Sequence, residues 1–316
     1  MRYDIVAMGE LLIDFTEAGF SPAKQRLFEQ NPGGAVANVA CGAARLGLHT
    51  AFIGKVGNDM HGRYLRDVLQ QANVNTDGLL LSDEVFTTLA FVSLSPTGER
   101  EFSFARKPGA DTCLYAEELL DAQLTNCAIF HVGSLSMTDE PVRSATLYAV
   151  QRAKAAGAVI SYDPNYRAPL WKSVEEAKTQ MRALLPYADL VKLSDEETEL
   201  LTDETQPEAA LDRLLAAGAK CAVVTLGKRG AMLGFGGART HFPTIPGLTV
   251  MDTTGAGDAF WSAFLSRVVK GGLLSGLSEE SAARYVRFAN AAAGYCVGRR
   301  GAIPSMPTEA EVQSLL

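Results

Sequence analysis

The chain has 316 residues, 47% of them hydrophobic and 21% charged, with 29 glycines and 13 prolines, the composition of an ordinary globular protein with material for a large core. A net charge of −7 at pH 7 leaves no surplus of Lys and Arg to neutralise a nucleic acid, so nucleic acid is excluded as the main partner and any anionic ligand needs a local site. No uncharged apolar run approaches the ~20 residues of a membrane span, and the five cysteines show no metal-binding spacing; they read as reduced, mostly buried side chains of a cytoplasmic protein.

In chain order, MRYDIVAMGELLIDF carries Asp4, Glu10 and Asp14 inside its apolar run and reads as a strand over 3–9 and a turn rather than a secretory leader. Residues 15–31 fit neither a strand nor a helix pattern and are expected as loop or hairpin. Gly33-Gly34-Ala-Val-Ala-Asn38 then opens a helix of small residues over 35–47. Paired glycines admit a ligand close to the backbone, while Asn38 offers a donor and an acceptor to vicinal hydroxyls. Asp14, at the end of the first strand, is a second hydroxyl acceptor. Taken alone, a close-packed helix with an incidental Asn and an exposed turn carboxylate account for these residues equally well.

Further strands are expected at 51–57, 128–133, 158–163, 189–194 and 221–227, alternating with helices near 61–73, 139–156, 174–185 and 207–217. The segment 86–106 breaks the alternation and reads as a hairpin with Ser95-Pro-Thr-Gly98 as its turn. Strands that are apolar nearly throughout and separated by helices predict a mostly parallel sheet covered on both faces, with ligands beyond the carboxyl ends of the strands. Ser194-Asp-Glu-Glu197 offers carboxylates to a hydrated Mg2+, but Ser-x-x-Glu is also a helix capping box, as at Ser173 and Thr308, and capping is the default. Thr225-Leu-Gly-Lys-Arg-Gly230 is suited to lining a nucleotide's phosphates or to a plain hairpin turn.

After 231–235 the pattern turns helical, with helices at 256–270, 278–297 and a short one begun by Thr308. Gly255-Ala256-Gly257-Asp258 opens the first of these. A helix start presents unpaired N–H groups and partial positive charge, glycines let a phosphate approach them, and Asp258 in the first turn is placed to take a proton from an alcohol beside that phosphate. The alternative is a carboxylate that only complements the helix dipole. There is no GxxxxGK[ST], no GxGxxG after the first strand, no HExxH and no GxSxG. His49, His61, His131 and His241 show no ligand spacing.

GGAVANVACGAARLG (33–47) and DTTGAGDAFWSAFL (252–265), about 220 residues apart, resemble the two signatures of the ribokinase-like (PfkB) carbohydrate kinases, and the resemblance covers essentially the whole chain. Within that family, MGELLIDF, FSFARKPGAD (102–111), YDPNYRAPLW (162–171) and KLSDEETELL (192–201) are most similar to fructokinases. The resemblance implies one three-layer α/β/α domain over 1–316, with a mostly parallel sheet and a small β lid formed from about 15–31 and 86–106. An exposed edge of that lid invites pairing into a homodimer.

It also implies ATP-dependent phosphorylation of a sugar's terminal hydroxyl, D-fructose to fructose 6-phosphate, with Asp258 as base and Gly255, Ala256 and Gly257 as the anion hole. Asp14, Gly33, Gly34, Asn38, Arg106, Asn165 and Arg167 are implied on the substrate side. Lys192, Glu197, Thr225, Gly227, Gly230 and Asn290 are implied on the nucleotide side with Mg2+, and Asp252, Thr254, Gly301 and Ser305 at a K+ site. Ser194 stands where ribokinases often have Asn, and Glu197 is kept. The alternative substrate is 2-keto-3-deoxygluconate, whose carboxylate Arg167 would suit; ribose, nucleosides and a sugar-binding regulator without catalysis follow behind.

Overall fold

The computed structural model describes residues 2–94 and 100–316, so the turn expected at Ser95–Gly98 lies outside the described residues. In chain order the strands and helices are β1 (Tyr3–Met8), β2 (Leu12–Phe20), β3 (Arg26–Gly33), α1 (Ala35–Arg45), β4 (Thr50–Gly57), α2 (Met60–Gln71), β5 (Val74–Ser82), β6 (Leu89–Leu94) and β7 (Arg100–Ala105). There follow α3 (Asp121–Leu124), β8 (Cys127–Val132), α4 (Val142–Ala155), β9 (Val159–Tyr162), α5 (Val174–Arg182), β10 (Leu190–Ser194), α6 (Thr198–Thr202) and α7 (Pro207–Ala216). The last are β11 (Cys221–Thr225), β12 (Ala231–Phe235), β13 (Ala238–Phe242), α8 (Ala256–Lys270), α9 (Glu279–Val297) and α10 (Glu309–Gln313).

Nine strands form the main sheet in the order β13-β12-β11-β10-β9-β8-β1-β4-β5. Pairing is parallel from β11 through to β5, and antiparallel where β12 and β13 are added. Strand side chains alternate between the two faces, and β1 shows what that does here. Val6 and Met8 pack into a core with residues of α4, α5 and α7, while Ile5 packs on the other side with residues of α1, α8 and α9. Burial on both faces is why these strands read as unbroken apolar runs, and the result is the three-layer α/β/α arrangement with a mostly parallel sheet.

A second sheet has the order β3-β2-β6-β7. β2 pairs with β3 and β6 with β7 in antiparallel fashion, but β2 and β6 run parallel. β2 begins four residues after β1 ends, so the chain passes directly from the main sheet into the small one. Few residues of β2 and β3 are buried, and the Phe91 ring contacts those of both Phe15 and Phe28 on it. Residues 15–31, expected as loop or hairpin and as part of a small β lid, form the antiparallel pair β2 and β3 with the turn between them and a register shift between Glu17 and Phe20.

Helix starts follow the capping chemistry at Ser173, whose side chain accepts from the N–H of Glu176, and at Thr308, which forms a full capping box with Glu311. Ser194 is a correction to that default. It ends β10 rather than starting a helix, and α6 is preceded by Glu197 without a side-chain cap. The Thr225–Gly230 turn joins β11 to β12 as an antiparallel hairpin.

Candidate active site

The carboxyl ends of β1, β8, β9 and β10 deliver Glu10, Ser134, Asp163 and Ser194 to one rim of the sheet, and the starts of α1 and α8 close over it. Gly255 precedes α8 with a left-handed φ of 77°, a conformation that costs an L side chain roughly 1–2 kcal/mol. A Cβ there would also stand 2.7 Å from the Cβ of Ala302. Glycine is therefore required for the chain to turn into the helix with its amides facing the rim. Among the described residues, no hydrogen bond is donated by the backbone N–H of Gly257 or Asp258. Residues 255–257 remain partly exposed while Asp258 is buried, so the amides are reachable from the rim.

Asp258 meets two amides. Its Oδ2 accepts from Asn38 Nδ2 at 2.7 Å and its Oδ1 from Asn165 Nδ2 at 3.3 Å. Burial raises its pKa, against the opposing pull of the Asn38 bond and the positive charges of Lys192 and Arg167. Asn165 holds a φ of 50°, which Asn tolerates better than most residues, and this aims its amide inward from the loop after β9. Asn38 lies in the first turn of α1, whose start is built by Gly34 at φ 115°; a Cβ there would fall 2.4 Å from the backbone oxygen of Glu10. The carboxylate of Asp14 lies over Gly33, where a Cβ would stand 2.4 Å from Asp14 Oδ2. Burial raises the Asp14 pKa to about 6, with Arg167 opposing and Asp258 reinforcing the shift. Asp14, Gly33, Gly34, Asn38, Asn165 and Arg167 thus gather around the Asp258 carboxylate, on the side suited to a polyol.

On the opposite side, Lys192 of β10 is buried and donates to Asp163 Oδ2 at 2.8 Å. Its ammonium would stand 3.1 Å from a Cβ on Gly257, which sets a positive charge against the first turn of α8. Burial pulls its pKa down, but Asp163 and Glu197 outweigh that and the net direction is up, so it stays protonated. Burial raises the Asp163 pKa in turn, with Lys192 opposing. Glu197 accepts from the N–H of Tyr166 at 2.6 Å and from that of Ser194 at 2.8 Å. It therefore ties the Asn165 loop to the end of β10.

Three expected groups lie elsewhere. Arg106 is buried against Asp111, Thr138 and Leu135, and none of its hydrogen bonds reaches the residues around Asp258. Asn290 of α9 donates to the carbonyls of Phe242 at 3.2 Å and Pro243 at 3.1 Å. A Cβ on Gly230 would fall 2.1 Å from that same Phe242 oxygen, so Gly230 and Asn290 meet at Phe242–Pro243, beside the turn that holds Thr225 and Gly227. Asp252 accepts from the N–H and O–H of Thr254 at 2.9 and 2.7 Å and from the N–H of Gly301 at 3.1 Å, and Ser305 donates to the Gly301 carbonyl at 2.5 Å. These four residues form one braced loop behind Gly255.

Two carboxylates were missed as parts of the site. Glu10 accepts from the N–H of Ala35 at 2.6 Å, at the start of α1, and Asp163 anchors Lys192. The available signal was position, since each follows the end of an otherwise apolar strand. His131 is structural: it bonds the Ser161 hydroxyl, and burial lowers its pKa to about 3.

A helix start with open amides, a buried carboxylate in its first turn and hydroxyl-binding groups opposite are the equipment of a phosphotransferase acting on a polyhydroxy acceptor. The family model for pfkB family carbohydrate kinases matches residues 2–309, and the chain belongs to that family. It is 44% identical over 319 residues to fructokinase-1 of Zea mays, covering 99% of this chain and 97% of that protein. Among solved structures, fructokinase of Xylella fastidiosa with bound ATP superposes with a TM-score of 0.91 at 37% identity, covering 98% and 97% of the two chains. A double mutant of Vibrio cholerae fructokinase with fructose, ADP and potassium bound gives 0.89 at 29% identity, covering 100% and 99%.

Proposed function

We propose that the protein is an ATP-dependent fructokinase that converts D-fructose to fructose 6-phosphate. The observation that carries this reading is the placement of Asp258, buried between the amides of Asn38 and Asn165 in the first turn of α8. The fructokinases among its relatives and structural neighbours support the choice of substrate.

An ordinary Asp, with a pKa of about 3.9, is far too weak to ionise an alcohol in advance. Asp258 instead orients the terminal hydroxyl and takes its proton as the oxygen bonds to the γ-phosphorus and the bond to the departing ADP oxygen breaks. The amides at 255–258 bear the charge on the transferred group, a kind of contact typically worth about 3 to 4 kcal/mol per donor. Lys192 adds a fixed positive charge beside Gly257. Asp14, Asn38 and the Gly33–Gly34 turn hold the sugar, with Asn165 and Arg167 completing that wall. Thr225, Gly227, Gly230 and Asn290 lie toward the nucleotide.

Among the described residues no group of three or more His, Cys, Asp or Glu forms a metal cage. Glu197 is read as an outer contact for a Mg2+ held mainly by ATP and water, which would neutralise phosphate charge. The Asp252, Thr254, Gly301 and Ser305 loop is proposed to hold K+, which would fix the approach to Gly255. The chain is read as one domain with the small sheet as its lid. Phe20, Phe28 and Phe91 on that lid are 65, 38 and 38% exposed, and a homodimer through this face would cover them. No described helix is long and apolar enough to cross a membrane, and free, mostly buried cysteines fit a cytoplasmic enzyme.

The deciding experiment is ADP release measured across fructose, tagatose, ribose, 2-keto-3-deoxygluconate and nucleosides, in K+ and in tetramethylammonium buffers. Fructose is expected to give the highest kcat/KM, and K+ the higher rate. A preference for the keto acid, drawn in by the exposed Arg167, overturns the substrate while keeping the reaction, and equal rates in the two buffers remove the cation site.

A further inference from the structure

The small sheet joins the rest of the molecule at points that converge on one carboxylate. β6 begins just after Thr88, and β7 ends just before Arg106. Thr88 Oγ1 donates to Asp111 Oδ1. Arg106 donates from Nε to Asp111 Oδ2 at 2.8 Å, and its Nη2 lies 2.7 Å from the same oxygen, with both side chains buried. Gly109 makes room for this junction, since a Cβ there would fall 1.8 Å from Thr88 Oγ1.

From Asp111 one arm leads to Asp14. The Thr88 carbonyl accepts from the N–H of Ile13 at 3.2 Å, and β6 continues alongside β2 with Ala90 opposite Asp14. The second arm leads to Asp258. Arg106 donates to the Leu135 carbonyl at 2.8 Å and to Thr138 Oγ1 at 2.9 Å. The loop so held begins with Ser134, whose N–H donates to the Pro164 carbonyl at 3.0 Å, and Pro164 precedes Asn165, a partner of Asp258. Both arms thus end on groups read above as facing the sugar, Asp14 and the Asn165 partner of Asp258.

We propose that Asp111 is a positioning residue for sugar phosphorylation: through Thr88 and Arg106 it sets the distance between Asp14, on the small sheet, and Asp258, on α8. This rests on the reading of Asp14 and Asp258 as the sugar-facing pair. The junction touches neither reacting group, so its loss acts on capture of the sugar rather than on the nucleotide.

The test uses the full-length protein carrying Thr88→Val, which keeps side-chain shape and removes one arm, and Asp111→Asn, which weakens both. In Thr88→Val the KM for fructose is expected to rise about tenfold, the scale of one lost bond to a charged group, with the KM for ATP within about twofold of wild type. Asp111→Asn should show a larger rise in the same parameter. Amide exchange followed by mass spectrometry should quicken at residues 12–14 and in β6 while α8 keeps its protection. An unchanged fructose KM in Thr88→Val overturns the proposal, as does an equal rise in the two KM values or exchange quickened uniformly over both sheets, which marks a merely structural contact. If Asp111→Asn does not fold, Thr88→Val alone decides. If wild type releases no ADP with any sugar, the kinase reading fails, whereas the exchange at 12–14 still reports on the link from Asp111 to Asp14.

Discussion

Replacing Asp258 with Asn separates chemistry from structure at the centre of the site. Asn is isosteric and keeps one acceptor, so its carbonyl can take the 2.7 Å bond from Asn38. Its amide then faces the Asn165 amide, which stands 3.3 Å from Oδ1 in the native protein, and that long bond is lost at a cost of about 1 kcal/mol. Loss of a charge that burial already disfavours works in the opposite direction, so the melting temperature should move by no more than a few degrees. Loss of a positioned base costs about 10²- to 10⁴-fold in kcat, or roughly 3 to 5 kcal/mol of barrier. The wild-type rate should also fall as acidity protonates Asp258, from a pKa raised above the ordinary carboxylate value, while the residual rate of the variant carries no such dependence. Coupled ADP release gives kcat, and calorimetric titration with fructose gives affinity. A variant that binds fructose normally and turns over within about tenfold of wild type would refute the assignment of Asp258 as base.

Two further substitutions test the supports of the site. Gly255→Ala forces a side chain into φ 77° and to within 2.7 Å of Ala302 Cβ, so chemical denaturation should show a loss of at least ~2 kcal/mol, with reduced turnover because the amides shift; unchanged stability would mean that the turn is not held as described. Glu10→Gln tests the buried carboxyl under α1. In the folded protein burial keeps Glu10 protonated up to a pKa of about 7, whereas the unfolded chain releases that proton near 4.5. The folded state therefore binds more protons across that window, and this contribution to stability is lost as pH rises through it, by up to about 3 kcal/mol. Gln keeps an acceptor for the Ala35 N–H and does not titrate, so relative to wild type the variant should gain about 2 to 3 kcal/mol between pH 5 and pH 7.5 in urea unfolding. Parallel stability profiles for the two proteins would refute this.

The parts of the fold legible in the sequence are those whose burial is uniform. β1, β8 and β10 are apolar because both of their faces are covered, and α8 was expected over its observed range because glycines mark its start and small and aromatic residues fill it. β5 escaped because its first half, VNTD, is mostly polar and only Val74 of it is buried, whereas β2 and β3 were legible only as a loop or hairpin of the small lid, without strand bounds, because that sheet has too little buried surface to impose alternation. In the site, Asp258 and Asn38 were legible through the glycines that the backbone geometry demands of their neighbours. The Lys192–Asp163 pair was not, because it joins two strands across 29 residues of sequence and no local pattern encodes a partner across a sheet. Ser194 and Glu197 misled for a related reason: the spacing of a capping box is present, and the Glu197 carboxylate does accept from the Ser194 N–H, but the other oxygen is taken by Tyr166.

The division of labour within the site follows from how two similar helix starts are treated. α1 and α8 both begin at glycines with positive φ, and their first turns lie within one hydrogen bond of each other, Asn38 to Asp258, across 220 residues of sequence. Each start carries roughly half a positive charge, so geometry alone would let either receive an anion. Glu10 occupies the first amide of α1 with a buried carboxyl, and the group this start turns toward the rim is the neutral amide of Asn38. At α8 the Gly257 and Asp258 amides have no acceptor among the described residues, and Lys192 stands beside them. On the proposed reading the phosphoryl group goes to α8 and the uncharged sugar to α1, with Asp258 at the seam where the two helix starts meet through Asn38.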